Sequence, residues 1–363
     1  MSKNNKKKVC IIVDCLTGGG AEKAAALLSK SLFKHQYEVS IISFRDDIEY
    51  DYKGKLYSLG LKINENSIFR NLKNIIFIKR VYNKINADVY LDFRVKYNSK
   101  LEILLHLLVF KSKKMILTIH SHKLSNYIPK YNIFYWLYNR VKAIVVVSKG
   151  IMKSAKSVYN FINIHQIPNI YSQDSIEKSK EIVEDIKEPF IIAVGRLEND
   201  VKQFDKLILS YKNSLPAKNN IPLVILGEGN DKQNLKDLIN KNRLESLVKL
   251  LGFKENPYPY IKASQFLVMS SKYEGFGIVL LESLSLGIPV ISFNCKSGPS
   301  EIIQNNKNGI LVKDQDFNEL TNAINKMYSD NILYETCKKN SKDSVKKYSE
   351  EEVFKSWSKL INS

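Results

Sequence analysis

Two periodicities alternate along this chain from end to end. Short runs rich in Val and Ile read as buried strands, and the stretches between them carry apolar residues at helical spacing. Strands are expected at residues 9–14, 39–44, 87–93, 115–120 and 143–148. The scheme restarts at 190–194 and continues through 223–226, 248–251, 266–269, 290–293 and 310–312. Helices fall between them. Residues 21–33, for example, place Ala24, Ala25, Leu27, Leu28 and Leu32 on one side. This alternation predicts α/β architecture with doubly wound sheets.

Residues 169–188 separate the two sets of strands. They are polar and acidic, without apolar periodicity, and read as a linker. The expected division is a first Rossmann-like domain over 1–173, a linker over 174–188, a second such domain over 189–345 and a terminal helix over 346–363. That last segment is amphipathic through Val353, Phe354, Trp357, Leu360 and Ile361. A length of 363 residues fits two domains. Ligands of doubly wound sheets sit at the carboxyl ends of strands, so the loops that follow strands should carry the chemistry.

The most informative loop follows the strand expected at 266–269. It reads Glu274-Gly-Phe-Gly-Ile-Val-Leu-Leu-Glu282, then Ser-Leu-Ser-Leu-Gly287-Ile-Pro289-Val-Ile. Gly275 and Gly277 permit a tight turn. Ile278, Leu281, Leu284 and Ser285 mark a helical face, and Gly287 falls where a helix ends in a left-handed residue. Pro289 blocks further helix before the next strand. One carboxylate lies in the loop and the other about one turn into the helix. Both can face the helix N-terminus, where free N–H groups favour an anion such as phosphate. Ala193-Val-Gly195-Arg196-Leu197 ends the first strand of the second half, and Lys202-Gln-Phe-Asp205 is expected to open its helix. Fixed cations there would stabilise the growing charge of a departing diphosphate. Thr17-Gly18-Gly19-Gly20-Ala21-Glu22 follows the first strand of the chain, and its glycines let backbone N–H groups approach a phosphate. Position 23 is Lys, so the loop is not the G-x-G-x-x-G of nicotinamide binders.

Together these segments resemble the retaining glycosyltransferases of family 4, strongest over 190–312. Glu274 and Glu282 match the family's E-x7-E motif, and Arg196 and Lys202 match its G-R-L…K pattern. Lys202 lies one residue further on than in many relatives, with Lys206 as a backup. Gly227, in Leu226-Gly227-Glu228-Gly229, matches the turn near the nucleotide, and Gly252-Phe253 lies where relatives hold the base. Ser297-Gly298-Pro299-Ser300-Glu301 resembles a G-x-x-E-I loop, in which Glu301 reads equally as a helix cap. His120, in Leu117-Thr-Ile-His120-Ser-His122, matches a family His that contacts sugar or acceptor. The resemblance implies the GT-B fold, two Rossmann-like domains facing a central cleft, with the final helix crossing back to the first. It also implies transfer of a hexose or N-acetylhexosamine from a nucleotide sugar, a UDP-sugar by expectation. The implied acceptor is a hydroxyl of a lipid-linked glycan in cell-surface polysaccharide biosynthesis. In that scheme Arg196 and Lys202 hold the diphosphate, helped by the Gly275-Phe276-Gly277-Ile278 backbone. Glu282 binds ribose, and Glu274 binds sugar hydroxyls and steadies charge at the anomeric centre. His120 and Gly18, Gly19 and Gly20 complete the pocket from the other domain. No metal or other cofactor is expected, since the family generally needs none. Asp314-Gln-Asp316 reads instead as a capping box of Asp316 with Glu319.

Composition narrows the alternatives. Hydrophobic content of 44% and charged content of 26% are those of a globular protein. Cys10, Cys15, Cys295 and Cys337 lack metal-ligand spacing and read as buried thiols. No stretch approaches ~18 apolar residues, and the first apolar run is too short for a signal peptide. The expected place is cytoplasmic, and the lipid-linked acceptor that the resemblance implies would put it peripherally on the cytoplasmic face of the inner membrane. The net charge of +19 is uneven: residues 52–173 hold 21 basic and 4 acidic residues. Such a field attracts anionic lipid headgroups, lipid diphosphates or nucleic acid. Stretches 67–85 and 96–110 mix Leu, Ile and Phe with Lys and Arg, a pattern that fits docking on an anionic membrane surface as well as core packing. A nucleic-acid binder predicts aromatic-basic readout motifs or a helix-turn-helix, and neither is present. A catalytically silent partner subunit would lack active-site groups, whereas Glu274, Glu282, Arg196 and Lys202 are all in place.

Overall fold

In the computed structural model, which describes residues 6–61, 68–129, 131–171, 177, 179, 180, 186 and 189–363, the strand-like runs pair into two all-parallel sheets. The first contains β1 (Lys8–Val13), β2 (Glu38–Ser43), β3 (Lys55–Ser58), β4 (Val89–Asp92), β5 (Met115–Ile119), β6 (Ala143–Val146) and β7 (Ile164–Gln166), in the order β3-β2-β1-β4-β5-β6-β7. The second contains β8 (Ile191–Val194), β9 (Leu223–Leu226), β10 (Val248–Gly252), β11 (Leu267–Met269), β12 (Val290–Phe293) and β13 (Gly309–Val312), in the order β10-β9-β8-β11-β12-β13. Both sheets are doubly wound, as the alternation predicts. Their switch points lie between β1 and β4 and between β8 and β11.

Parallel strands covered on both faces read as continuous apolar runs. Val9 to Val13 and Val290 to Phe293 are buried throughout. The helix Gly20–Lys34 buries Ala24, Ala25, Leu28 and Leu32, while Leu27 is only half-buried. Two strands escape the hydrophobic pattern. β3 and β7 are edge strands of four and three residues, and none of their residues is buried. An edge strand covered on one side needs no apolar run. The strands expected at 87–93, 115–120 and 143–148 end sooner, after Asp92, Ile119 and Val146, where the chain turns into the loops of the carboxyl edge. All four cysteines are free and buried.

The helix Ile68–Ile85 packs Ile75, Ile78, Tyr82 and Ile85 inward and leaves Leu72, Ile76 and Phe77 exposed. The helical stretch expected at 96–110 is shorter, Ser99–Leu108. Its N-cap Asn98 accepts from the Leu101 N–H at 3.1 Å, and Lys96 is drawn into a buried charge cluster instead.

The chain forms two compact units, one of Met1–Asn169 with Val353–Ser363 and one of Ile170–Glu352. Most of the expected linker lies outside the described residues. The helix Glu350–Asn362 buries all five of its pattern residues, Val353, Phe354, Trp357, Leu360 and Ile361. Within the first unit Phe354 stacks on His35, with ring centroids 3.6 Å apart, and meets Tyr37 edge-on. Lys7 Nζ donates to the Ile361 carbonyl at 2.8 Å. Burial of this one ring joins segments more than 300 residues apart in sequence. Phe354→Ala should therefore cost about 3–5 kcal/mol. Urea unfolding followed through Trp357 fluorescence measures it, and a loss below about 1 kcal/mol would show that the terminal helix is dispensable.

Candidate functional site

At the carboxyl edge of the second sheet, the loop after β11 carries Glu274 to the helix Ile278–Ser285. Of the two glycines in the turn only Gly277 takes a left-handed backbone, φ +92°, which a side chain would strain. As the N-cap it has no side chain with which to accept from the first N–H groups of the helix. The helix is not one-faced as its spacing suggested. Ile278 and every residue from Leu280 to Ser285 are buried, because it packs between β11, β12 and the helix Asn331–Ser344.

Lys202 does not open a helix. It ends the single turn Asn199–Lys202, Gln203 follows with φ +53°, and the next helix is Phe204–Lys212. The break turns Lys202 Nζ onto Glu274 Oε1 at 2.6 Å, with the two side chains 20% and 13% exposed. The pair is held through the backbone on both sides. Ser270 Oγ donates to the Lys202 carbonyl at 2.7 Å, and Ser297 Oγ, in the loop after β12, donates to the Glu274 carbonyl. Lys206 points elsewhere, 5.3 Å above the Phe317 ring.

Arg196 is more than half exposed and pairs with Glu198 at 3.4 Å. Such a surface pair is worth little and leaves the guanidinium free to turn to a ligand. The loop that bears it is packed by backbone: a Cβ on Gly227 would collide with the Gly195 carbonyl, so glycine alone fits there. Phe253, just past β10, exposes nearly half its surface. Glu282 is buried, and its Oε1 accepts from Tyr258 Oη at 3.1 Å. The anchoring hydroxyls of Tyr258, Ser270 and Ser297 were not foreseen. Tyrosine and serine in loops carry no pattern that separates an anchoring hydroxyl from a solvated one. Asp316 caps the helix Phe317–Ser329 by accepting from the Glu319 N–H at 3.0 Å. Only half of the expected box forms, since Glu319 accepts from the Lys313 N–H rather than from that of Asp316. Gly298 is the N-cap of the helix Pro299–Ile302, and Glu301 lies in its first turn.

The first unit arranges its own carboxyl edge differently. Gly19 caps the helix Gly20–Lys34, and the Glu22 carboxylate folds back over it so closely that a Cβ on Gly19 would collide. The expected phosphate cradle thus already faces an anion of the chain, in the place where a helix N-terminus favours one. His120 follows β5 and stacks on Phe93, centroids 4.9 Å apart. Both ring nitrogens are shielded and have no hydrogen-bond partner among the described residues. Burial lowers its pKa to about 3. At neutral pH it is an uncharged ring with unused hydrogen-bonding capacity, not a proton donor. His106 shares this condition, with burial lowering it to about 4.

Beside them lies a charge network that the sequence did not announce. Arg94 makes paired hydrogen bonds to Asp92 (3.0 and 2.8 Å) and to Glu102 (2.8 and 3.1 Å), with Phe44 4.4 Å beneath its plane. Lys96 donates to Asp92 at 2.6 Å. Burial alone would raise the Asp92 carboxyl, but Arg94 and Lys96 outweigh it and hold it well below the carboxylate range. The signal was an Asp-x-Arg-x-Lys run just where an apolar strand ends.

Comparison with known proteins places these features in a family. The model described as Glycosyl transferases group 1 matches residues 174–344, and that described as Glycosyltransferase Family 4 matches 18–173. A Campylobacter jejuni protein named N-acetylgalactosamine-N,N'-diacetylbacillosaminyl-diphospho-undecaprenol 4-alpha-N-acetylgalactosaminyltransferase is 30% identical over 357 residues, 94% of this chain and 96% of that one. The amylovoran biosynthesis glycosyltransferase AmsD of Erwinia amylovora is 27% identical, covering 98% and 99%. Among solved structures, S. aureus TarM with fondaparinux, alpha-GlcNAc-glycerol and UDP superposes with a TM-score of 0.80 at 16% identity, covering 98% of this chain and 100% of TarM. The fold is therefore GT-B.

The shielded imidazole nitrogens of His106 and His120 make stability depend on pH. The unfolded chain binds their protons near pH 6.5, whereas the folded chain binds them only near 4 and 3. The unfolded state holds more protons within that window, so stability falls as pH drops. Each histidine should remove about 1.4 kcal/mol per pH unit below 6.5. Urea unfolding from pH 7 to about 5 should show this slope, and a His106→Gln, His120→Gln variant should lose it. An unchanged slope in the variant would assign the effect to other groups.

Proposed function

The chain belongs to the family 4, group 1 glycosyltransferases, and on that premise we propose that it moves a hexose or N-acetylhexosamine from a UDP-linked donor, with retention, to a hydroxyl of a lipid-linked glycan in cell-surface polysaccharide biosynthesis. The observation that carries the reading is the Lys202–Glu274 pair beside the uncapped N-terminus of Ile278–Ser285. One cation and one carboxylate are pinned there within hydrogen-bond distance, next to backbone N–H groups suited to an anion. The Campylobacter relative's name specifies a diphospho-undecaprenol acceptor, and TarM was solved with UDP; both support the acceptor and donor classes. Those relatives that span the full length are transferases, which disfavours a silent partner.

In the proposed reaction Lys202 and Arg196 take the diphosphate, aided by the N–H groups after Gly277. Glu282, fixed by Tyr258, takes the ribose hydroxyls. Glu274, released from Lys202 as the diphosphate arrives, takes sugar hydroxyls and steadies positive charge at the anomeric carbon. The glycosidic C–O bond to phosphate breaks while the acceptor oxygen bonds on the same face. The departing phosphate oxygen accepts the acceptor's proton. His120, a neutral ring, would hydrogen-bond sugar or acceptor once its shielded nitrogens are uncovered. No metal is invoked. A lipid-linked acceptor places the work at a membrane surface, which we take to be the cytoplasmic face of the inner membrane. Among the described residues no helix is long and apolar enough to cross one. Leu72, Ile76 and Phe77 lie exposed on the helix Ile68–Ile85, which also carries Lys73 and Arg80, and this favours contact with anionic lipid.

Two measurements test this. UDP should raise the Tm more than other nucleoside diphosphates do, and Arg196→Ala should remove the shift. An equal response to all, or an unaffected mutant, counts against the donor site. Glu274→Gln should cut turnover by at least about 10²-fold with UDP binding retained. NMR of the product should show the donor's anomeric configuration. Normal turnover removes Glu274 from the mechanism, and an inverted product removes retention.

A further inference from the structure

We propose that the first unit docks on an anionic bilayer through the outer face of the helix Asn132–Tyr138 and the segment 158–163, with Trp136 and Ile162 immersed in the lipid interface. The helix has two apolar sides. Phe134, Leu137 and Tyr138 are buried, with Tyr138 against Phe134 and His106. Ile133, Tyr135 and Trp136 turn outward and are 37%, 41% and 49% exposed. The neighbouring segment adds Val158 at 64% and Ile162 at 87%.

These groups form one patch. Tyr135 Oη donates to the Asn160 carbonyl at 3.2 Å, and its ring stacks with Phe161 at 6.2 Å. Asn139 Oδ1 accepts from the Ile162 N–H at 3.2 Å. Arg140 lies over the Trp136 ring at 4.0 Å. Single exposed apolar residues are ordinary, but a contiguous group of aromatic and aliphatic side chains marks a contact surface.

Charge decides the occupant. From Ile103 to Gln173 the chain has ten Lys and Arg and not one Asp or Glu. Tyr and Trp prefer the headgroup level, Ile inserts below it, and Lys and Arg pair with anionic headgroups above. A bilayer satisfies all three at once. Nucleic acid would use the aromatic rings and the cations but leave Ile133, Val158 and Ile162 without a partner. The proposal deepens the lipid-acceptor reading, since it names the surface that would bring the protein to its acceptor, and it is tested apart from turnover.

The chain has two tryptophans, and Trp357 is buried in the first unit at 6% exposure. The signal lost on Trp136→Phe therefore reports the patch. With vesicles of phosphatidylcholine and phosphatidylglycerol, the wild-type protein should float with the lipid, its emission should shift to the blue, and brominated lipid should quench it. Phosphatidylcholine alone should do much less. Trp136→Ser with Ile162→Ser should lower partitioning at least about ten-fold while turnover of a water-soluble acceptor is unchanged. Failure of the wild type to float, flotation indifferent to the double substitution, or a Trp136 that brominated lipid does not reach would each overturn the proposal. So would tighter binding to duplex DNA than to the vesicles. Substitution-sensitive docking without turnover on any acceptor would sustain the docking surface and sink the transfer reading alone.

Discussion

Parallel strand pairing is the constraint on which everything else rests. Each strand in the two sheets runs the same way as its neighbours, so every connection must recross the sheet, mostly through a helix. Both faces are thereby covered, which is why the strands inside the two sheets are apolar while the edge strands β3 and β7 are not. It also brings every strand's carboxyl end to one edge, where loops are free of the ladder and polar groups are tolerated. Glu274, Lys202, Arg196, Gly227 and Phe253 gather at one such edge, and His120, Gly19 and Arg94 at the other. Neither group was selected by nearness in sequence; the winding of the chain assembled them.

The two edges solve the problem of charge in opposite ways. In the second unit Lys202 and Glu274 are partly open, and each is held through backbone hydrogen bonds to serines rather than by further charges. A pair of that kind can be parted by a ligand that supplies a better anion, since little else depends on it. In the first unit Arg94, Asp92, Lys96 and Glu102 are shut away and saturate one another. Breaking that set would strand an uncompensated buried charge at a cost of about 3–5 kcal/mol. Through Arg94 it ties Asp92 at the end of β4 to Glu102 in the helix Ser99–Leu108, and that is a structural service.

Much of this was legible in the sequence, and what was not has identifiable causes. Strands β9 and β12 were read to the residue because they are apolar runs bounded by turn residues. β3 and β7 were missed because edge strands lack that run. The E-x7-E loop, the left-handed Gly277 and Gly287 and the cap at Asp316 follow from local rules, and local rules survive folding. Lys202 was placed at the wrong end of a helix because Gln203 is left-handed, a conformation that glutamine does not advertise. The pairing of Lys202 with Glu274, 72 residues apart, and of Glu282 with Tyr258 depends on which loops the sheet order brings together. No periodicity encodes that. The Gly18–Gly20 loop shows the reverse error. Its glycines were read as open to a phosphate, whereas Glu22, four residues past Gly18, supplies a carboxylate of the chain itself.

The net charge of +19 likewise divides into parts that do different things. Arg94 and Lys96 are neutralised inside the first unit, and Lys202 is neutralised by Glu274, so none of these acts at a distance. What remains faces solvent. Salt screens such a field beyond about 8–10 Å, so it draws any polyanion near without telling one from another. Discrimination has to come from contacts made at the surface itself. The exposed Ile133, Val158 and Ile162 supply contacts that a dissolved anion or a nucleic acid cannot use and a bilayer can. In the proposed docking, charge governs how fast the protein arrives and the apolar patch governs where it stays.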